Sequence, residues 1–243
     1  MISGSAWAKA PPTHGAEFTA VTRNQTTGTR FPAIGDATVQ GVVDGERGRL
    51  EYLKSGLGSL PQGTVLITDD GAKTRKLYNA RDHSCGDALA PTTQAAAPVY
   101  QHLKVDKILD EPGPKMHGVP TRHLRYSIAY DLTSGSGASV QSHPGTIATE
   151  VWVAPSLTDP AFALWLTSSP HTGNADADRQ LADTMKDFPG AALKRIQQTT
   201  LNLGEGKQQN ATSTMEVTHL VRHRPDAKAL APPFECRMPT PKQ

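Results

Sequence analysis

The chain has 243 residues, of which 37% are hydrophobic, and its 25 Lys and Arg nearly balance 23 Asp and Glu for a net charge of +2. That balance excludes the broad basic footprint of a nucleic-acid binder, and no run approaches the roughly 20 apolar residues of a membrane-spanning helix. With 21 Gly and 19 Pro the chain is rich in turns without reaching the composition of a disordered protein.

The N-terminus passes through Ala6-Trp7-Ala8, a small-x-small pattern like the end of an export signal, into polar Lys9-Ala10-Pro11-Pro12. The charged and apolar parts of a signal peptide are missing, so residues 1–16 are expected to be a signal remnant or a disordered arm, and 17–243 one domain. From Glu17 the chain reads as strands parted by Gly, Pro, Asp and Asn: Glu17–Arg23, Thr38–Val43, Gly48–Lys54, Gly63–Thr68 and Thr74–Asn79. Asp69-Asp70-Gly71 between the last two predicts a tight hairpin.

Cys85 and Cys236 are the only cysteines. An even pair in an exported chain predicts one disulfide closing a loop of about 150 residues, worth roughly 5 kcal/mol in the chain-entropy model; two unrelated thiols are the alternative. His83 beside Cys85 evokes a Cys-His nucleophile, but no third group orients it at a recognisable spacing. Without a CxxC pair there is no structural zinc pattern.

Ala90–Pro98 reads as a linker, and Val99–Leu109 as the next strand. The period-two run Arg122 to Leu132, with Leu124, Tyr126, Ile128 and Tyr130 on one parity, predicts a half-buried strand. A flexible loop is expected at Leu132–Gly145, then a strand at Ile147–Ala154. Asp159-Pro160 resembles an N-cap with Pro in the first helical position, so Asp159–Thr167 predicts a short helix. A second is predicted from Asn174 to Phe188, where Ala177, Leu181, Met185 and Phe188 share a face and Pro189-Gly190 stops it. Leu193–Leu203, a loop at Gly204–Asn210 and Thr212–Val221 complete the pattern. The fold class is mainly β: one curved antiparallel sheet, a half-barrel of about nine to eleven strands, with one or two late helices on its concave face.

Catalytic patterns are missing. No GxSxG or HExxH occurs, and Gly71-Ala72-Lys73-Thr74 has the wrong spacing for a phosphate loop. His117 with His123, and His219 with His223, read as solvated or hydrogen-bonding side chains before metal ligands, and Arg222-His223-Arg224 as a solvated strand end. The expectation is a protein that is not an enzyme and holds no cofactor or metal. Trp152 and Trp165 are either core between sheet and helix or the lining of an apolar cavity.

A set of short motifs in fixed order carries a resemblance. They are Gly48-Arg49-Leu50-Glu51-Tyr52, Thr68-Asp69-Asp70-Gly71, Thr121 to Tyr126 after a Gly-Val-Pro turn, Thr149-Glu150-Val151-Trp152-Val153-Ala154-Pro155, Phe188-Pro189-Gly190 before Leu193-Lys194-Arg195, and Thr214-Met215-Glu216-Val217-Thr218. Over residues 36–236 they resemble an uncharacterised bacterial extracytoplasmic family, similar to the LolA/LppX type of lipoprotein-carrier half-barrels. The resemblance implies an open half-barrel whose concave face, closed by helices, holds acyl chains or another apolar ligand. No lipobox cysteine follows the small-x-small site, which points to an unanchored protein.

The expected function is therefore an exported, periplasmic or otherwise extracytoplasmic carrier of a lipid or other hydrophobic molecule. Trp152, Phe162, Leu164, Trp165, Leu181 and Met185 would line or cover its cavity. The alternative is an envelope structural protein with a filled interior that acts through a protein partner.

Overall fold

The computed structural model describes residues 14–27, 35–56, 60–88, 99–134, 141–166, 179–180, 183 and 190–236. Eleven antiparallel strands lie in one sheet: β1 (Ala16–Thr27), β2 (Ala37–Asp44), β3 (Arg47–Lys54), β4 (Val65–Thr68), β5 (Lys76–Asn79), β6 (Ser84–Asp87), β7 (Val99–Pro112), β8 (Arg122–Ser134), β9 (Gln141–Ala154), β10 (Ala191–Asn202) and β11 (Gln208–Arg222). Their order is β6-β5-β4-β3-β2-β1-β11-β10-β9-β8-β7. The first and last strands thus pair in the middle, while β6 and β7, consecutive in sequence, form opposite edges of a curved sheet that does not close.

Alternation builds the inner face. Along β8, Leu124, Tyr126, Ile128 and Tyr130 are buried while Arg125 and Ala129 are exposed, as period two requires. The cross-strand register carries this parity from strand to strand, so Phe18, Gly41 and Leu50 fall on one row, and Met215, Arg195, Val151 and Leu124 on another. Gly41 is required by its neighbour: the Phe18 ring occupies the space a Cβ would need. Gly145 plays the same part under the ring of Tyr130.

All four residues of β4 are buried, because that strand is covered on both sides. Its outer residues Val65 and Ile67 pack with Tyr78 beneath Phe234 and Cys85. The C-terminal segment is tied there by the Cys85–Cys236 disulfide, with Cα atoms 5.5 Å apart. Of the two cysteine readings, the disulfide is the one formed.

The structure departs from expectation at several turns. β6 was not predicted; Ser84–Asp87 has no apolar alternation and is set by pairing with β5. Asp69-Asp70-Gly71 is not a tight hairpin, since β4 ends at Thr68 and β5 starts at Lys76. Asp70 folds the longer loop by accepting from Thr74 N at 2.9 Å and Thr74 Oγ1 at 2.7 Å. The loop expected at Leu132–Gly145 is shorter, because pairing from Arg122–Val153 out to Ser134–Gln141 extends both strands.

The helix expected over Asp159–Thr167 is a 3-10 turn, Pro160–Leu164. Asp159 does not cap it; its carboxylate instead accepts from Gly15 N at 2.9 Å. Within the predicted Asn174–Phe188 helix, Arg179, Gln180 and Asp183 are helical, and the other positions, Leu181 and Met185 among them, lie outside the described residues. So do the Ala90–Pro98 linker and the N-terminal small-x-small site.

Candidate functional site on the concave face

One end of the concave face is plugged from two directions. After β9, Phe162 sits 6.2 Å from the Phe18 ring, and Leu164 and Ala161 close over Gly48, where a Cβ would meet them at 2.8 and 2.9 Å. Phe162 is 4% and Leu164 6% exposed. From the other side the loop between β7 and β8 folds in: Met116 and Val119 bridge each other, Val119 is buried in the core, and His117 Nε2 donates to the Val217 carbonyl at 2.7 Å.

Beyond the plug the inward rows change character. Asn24, Ser213, Gln197, Thr149 and Tyr126 occupy one continuous cross-strand row from β1 through β11, β10 and β9 to β8. The next row brings Arg195 beside Val151 and Leu124. Burial pushes the Tyr126 phenol up to about 12, against the opposing pull of the Thr149 hydroxyl and the Arg195 guanidinium. Burial also lowers the Arg195 pKa, the phenol opposing. Met215 is buried in the Arg195 row, and on the other side of the Tyr126 row Ile128, Ile147 and Leu201 are buried.

The third feature surrounds Tyr52 on β3. Trp165 meets it edge to face at 5.6 Å between ring centres. Thr64 is its neighbour across the β3 edge, its main-chain carbonyl accepting from Tyr52 N at 2.9 Å. Desolvation raises the Tyr52 hydroxyl to about 12, while the Arg75 guanidinium pulls it the other way. Thr64 Oγ1, Arg75 Nε and Trp165 Nε1 are all buried, and none has a hydrogen-bond partner among the described residues. Buried polar groups are normally paired, so each of the three is an exception.

Of the residues singled out from sequence, Phe162, Leu164 and Trp165 come together against β1–β3. Trp152 does not join them. Its neighbours Val151 and Val153 are the inward ones, so its ring lies on the outer face, stacked on His123 at 4.5 Å with Lys194 Nζ 5.3 Å from its centre. His123 lies between Glu111 and Glu150 at 3.4 and 3.1 Å. His223 pairs with Glu17 at 3.2 Å, and Arg224 lies 3.9 Å from Asp44. Among the described residues no three His, Cys, Asp or Glu side chains are grouped to hold a metal. Cys85 is committed to the disulfide, and His83 stacks on Phe234 at 4.7 Å. The sequence reading missed Tyr52, Thr64 and Arg75. For Tyr52 a signal existed, since it shares Leu50's parity in a predicted strand; an arginine in the loop before β5 carries none.

Compared with protein-family models, curated proteins and solved structures, the chain matches none of them.

Proposed function

We propose that this chain is an extracytoplasmic half-barrel that is not an enzyme and that binds a lipid or other amphiphilic molecule on the concave face of its sheet. The observation that carries the reading is Trp165: it lies on that face, half-buried, with its indole N–H shut away from water and lacking an acceptor. A bound molecule would supply the missing partner. The core against which Trp165 packs, with Leu50, Leu66 and the Tyr52 ring, is apolar. The disulfide is consistent with an oxidising compartment, and no helix among the described residues is long and apolar enough to cross a membrane. The resemblance carried by the sequence motifs, to the lipoprotein-carrier half-barrels, implies the same class of ligand.

Titration with 1-aminoanthracene, a neutral apolar fluorophore, tests it. Saturable binding at one site per chain, displaced by long-chain lipid, is expected. Linear, unsaturable fluorescence would favour a second reading, a filled interior acting through a protein partner. The burial of Phe162 and Leu164 is the observation on that side.

A further inference from the structure

We infer that a cleft on the outer face of the sheet is a second site, which takes a short neutral oligosaccharide. It is independent of the concave face and opens where the sheet splits. β9 pairs with β8 along its whole length, from Ser134–Gln141 to Arg122–Val153, but its ladder to β10 stops at Leu201–Gly145. One residue beyond that last pair stands Pro144, which has no N–H to give a ladder. β10 meanwhile runs on to Asn202, paired with Gln208 of β11. Past Gly145 the two strands part, and two pockets of about 440 Å³ each lie at the split, both lined by Pro144 and Asn202. Each is within the size range of small-molecule sites.

The polar groups of the cleft are already positioned. Where β7 bulges between Gln101 and Lys104, His102 takes a φ of +52° and sets its Nδ1 2.8 Å from Asp131 Oδ2. Bulges re-aim side chains beside functional sites, and a non-glycine residue keeps such a φ only where its surroundings hold it. Thr200 Oγ1 donates to Asn210 Oδ1 at 2.9 Å, and Asn202 Oδ1 accepts from Gly204 N at 3.1 Å. Thr200 thus keeps its lone pairs for a ligand and Asn202 its amide hydrogens, while Asp131 keeps a second oxygen. Ala129, Pro144 and Gly145 make a floor without bulk between them.

This lining selects the ligand. Amides and hydroxyls, with one carboxylate, present donors and acceptors together, the complement of a polyhydroxylated molecule. Among the described residues neither pocket is lined by Lys or Arg, the groups that recognise an anionic polymer. The exposed Pro144 ring is the apolar surface at the junction, enough for the C–H face of one pyranose and too little for a lipid tail. Two pockets meeting at Pro144 and Asn202 match adjacent units of a chain.

Amide NMR of the full chain, titrated with maltotetraose, cellotetraose and chitotetraose, tests the site. At least one of them is expected to shift the Gly145, Asn202 and Gly204 amides saturably. Asp131→Asn, which keeps the shape and removes the charge, should weaken that sugar by about tenfold, the worth of one charge-assisted hydrogen bond. Thr146→Trp, at an exposed strand position, should fill the floor and abolish binding while the spectrum stays dispersed and 1-aminoanthracene binding is unchanged. Saturation by none of the three sugars, or binding indifferent to Thr146→Trp, would overturn the site and leave the concave-face reading intact. Tighter binding of tetragalacturonate would overturn the neutral assignment, and tighter binding of a blocked tetra-alanine peptide would overturn the sugar.

Discussion

His117 and Val217 are 100 residues apart, and the imidazole of the one donates to the main-chain carbonyl of the other at 2.7 Å. Two strands, β9 and β10, lie between the elements that carry them. The contact forms where the β10–β11 ladder has already stopped at Lys194–Glu216, just past a bulge in β10. A side chain from a distant loop thus occupies the place of a missing strand partner. Replacing His117 by Ala should lower unfolding free energy by about 1 kcal/mol, the usual worth of one such bond. It should also speed amide exchange through residues 113–121. Urea denaturation with hydrogen-exchange mass spectrometry checks both; unchanged exchange in that loop would show that the latch does not hold it.

Gly41 and Gly86 make a matched pair. At Gly41 an added Cβ would strike the Phe18 ring, whereas at Gly86 it would meet nothing within 4 Å. Gly41→Ala should cost about 1–3 kcal/mol by overpacking, and Gly86→Ala, on an edge strand, should stay within about 0.5 kcal/mol of the parent. Equal midpoints for the two variants in urea would mean that the core yields at Phe18.

Two buried phenols set an alkaline limit. Tyr52 and Tyr126 are each raised to about 12 from an ordinary value near 10, chiefly by burial. Their neutral forms therefore favour the folded state fully below pH 10, and that contribution is lost as pH rises from 10 toward 12. Tyr126→Phe should flatten part of the stability loss in that window. Asp70 behaves oppositely. Hydrogen bonds from the Thr74 amide and hydroxyl, and from Thr68, hold its carboxyl down to about 2. Its contribution is present above the unfolded value near 3.8 and fades as pH falls toward 2. Carboxyl NMR titration reads this directly, and a midpoint near 4 would remove the proposed role of Thr74.

The disulfide secures a segment with little else to hold it. Between Ala231 and Cys236 only Phe234 is half-buried, against Tyr78 and His83, and the rest are exposed. Reduction should therefore release this segment first, exposing Val65 and Ile67, and lower global stability by up to about 5 kcal/mol. Urea midpoints with and without a phosphine reductant, and for Cys236→Ser, test this. Identical midpoints would mean the bridge adds nothing.

How far the sequence reading reached follows from what alternation encodes. It found ten of the eleven strands, with ends within four residues except at β9, which starts six residues before the expected Ile147, because burial on one face imposes period two wherever strands are long. β6 escaped, since four edge residues, three exposed and Cys85 half-buried, carry no apolar alternation. Parity is informative at Trp152, which alternates with the buried Val151 and Val153 and so belongs to the outer face. Phe162, Leu164 and Trp165 were legible as apolar residues after a Pro-started turn, and they do meet at the concave face. Thr64 and Arg75 were not, because their significance lies in partners they lack, and hydrogen-bond satisfaction exists only in three dimensions.

The central claim is that the concave face carries a ligand, and native mass spectrometry of the protein purified from its native cells without detergent tests it most directly. The account predicts one amphiphile per chain, identified after organic extraction, retained by Trp152→Asp on the outer face and lost in Trp165→Asp on the inner one. A clean apoprotein mass that takes up none of the lipids offered would contradict it.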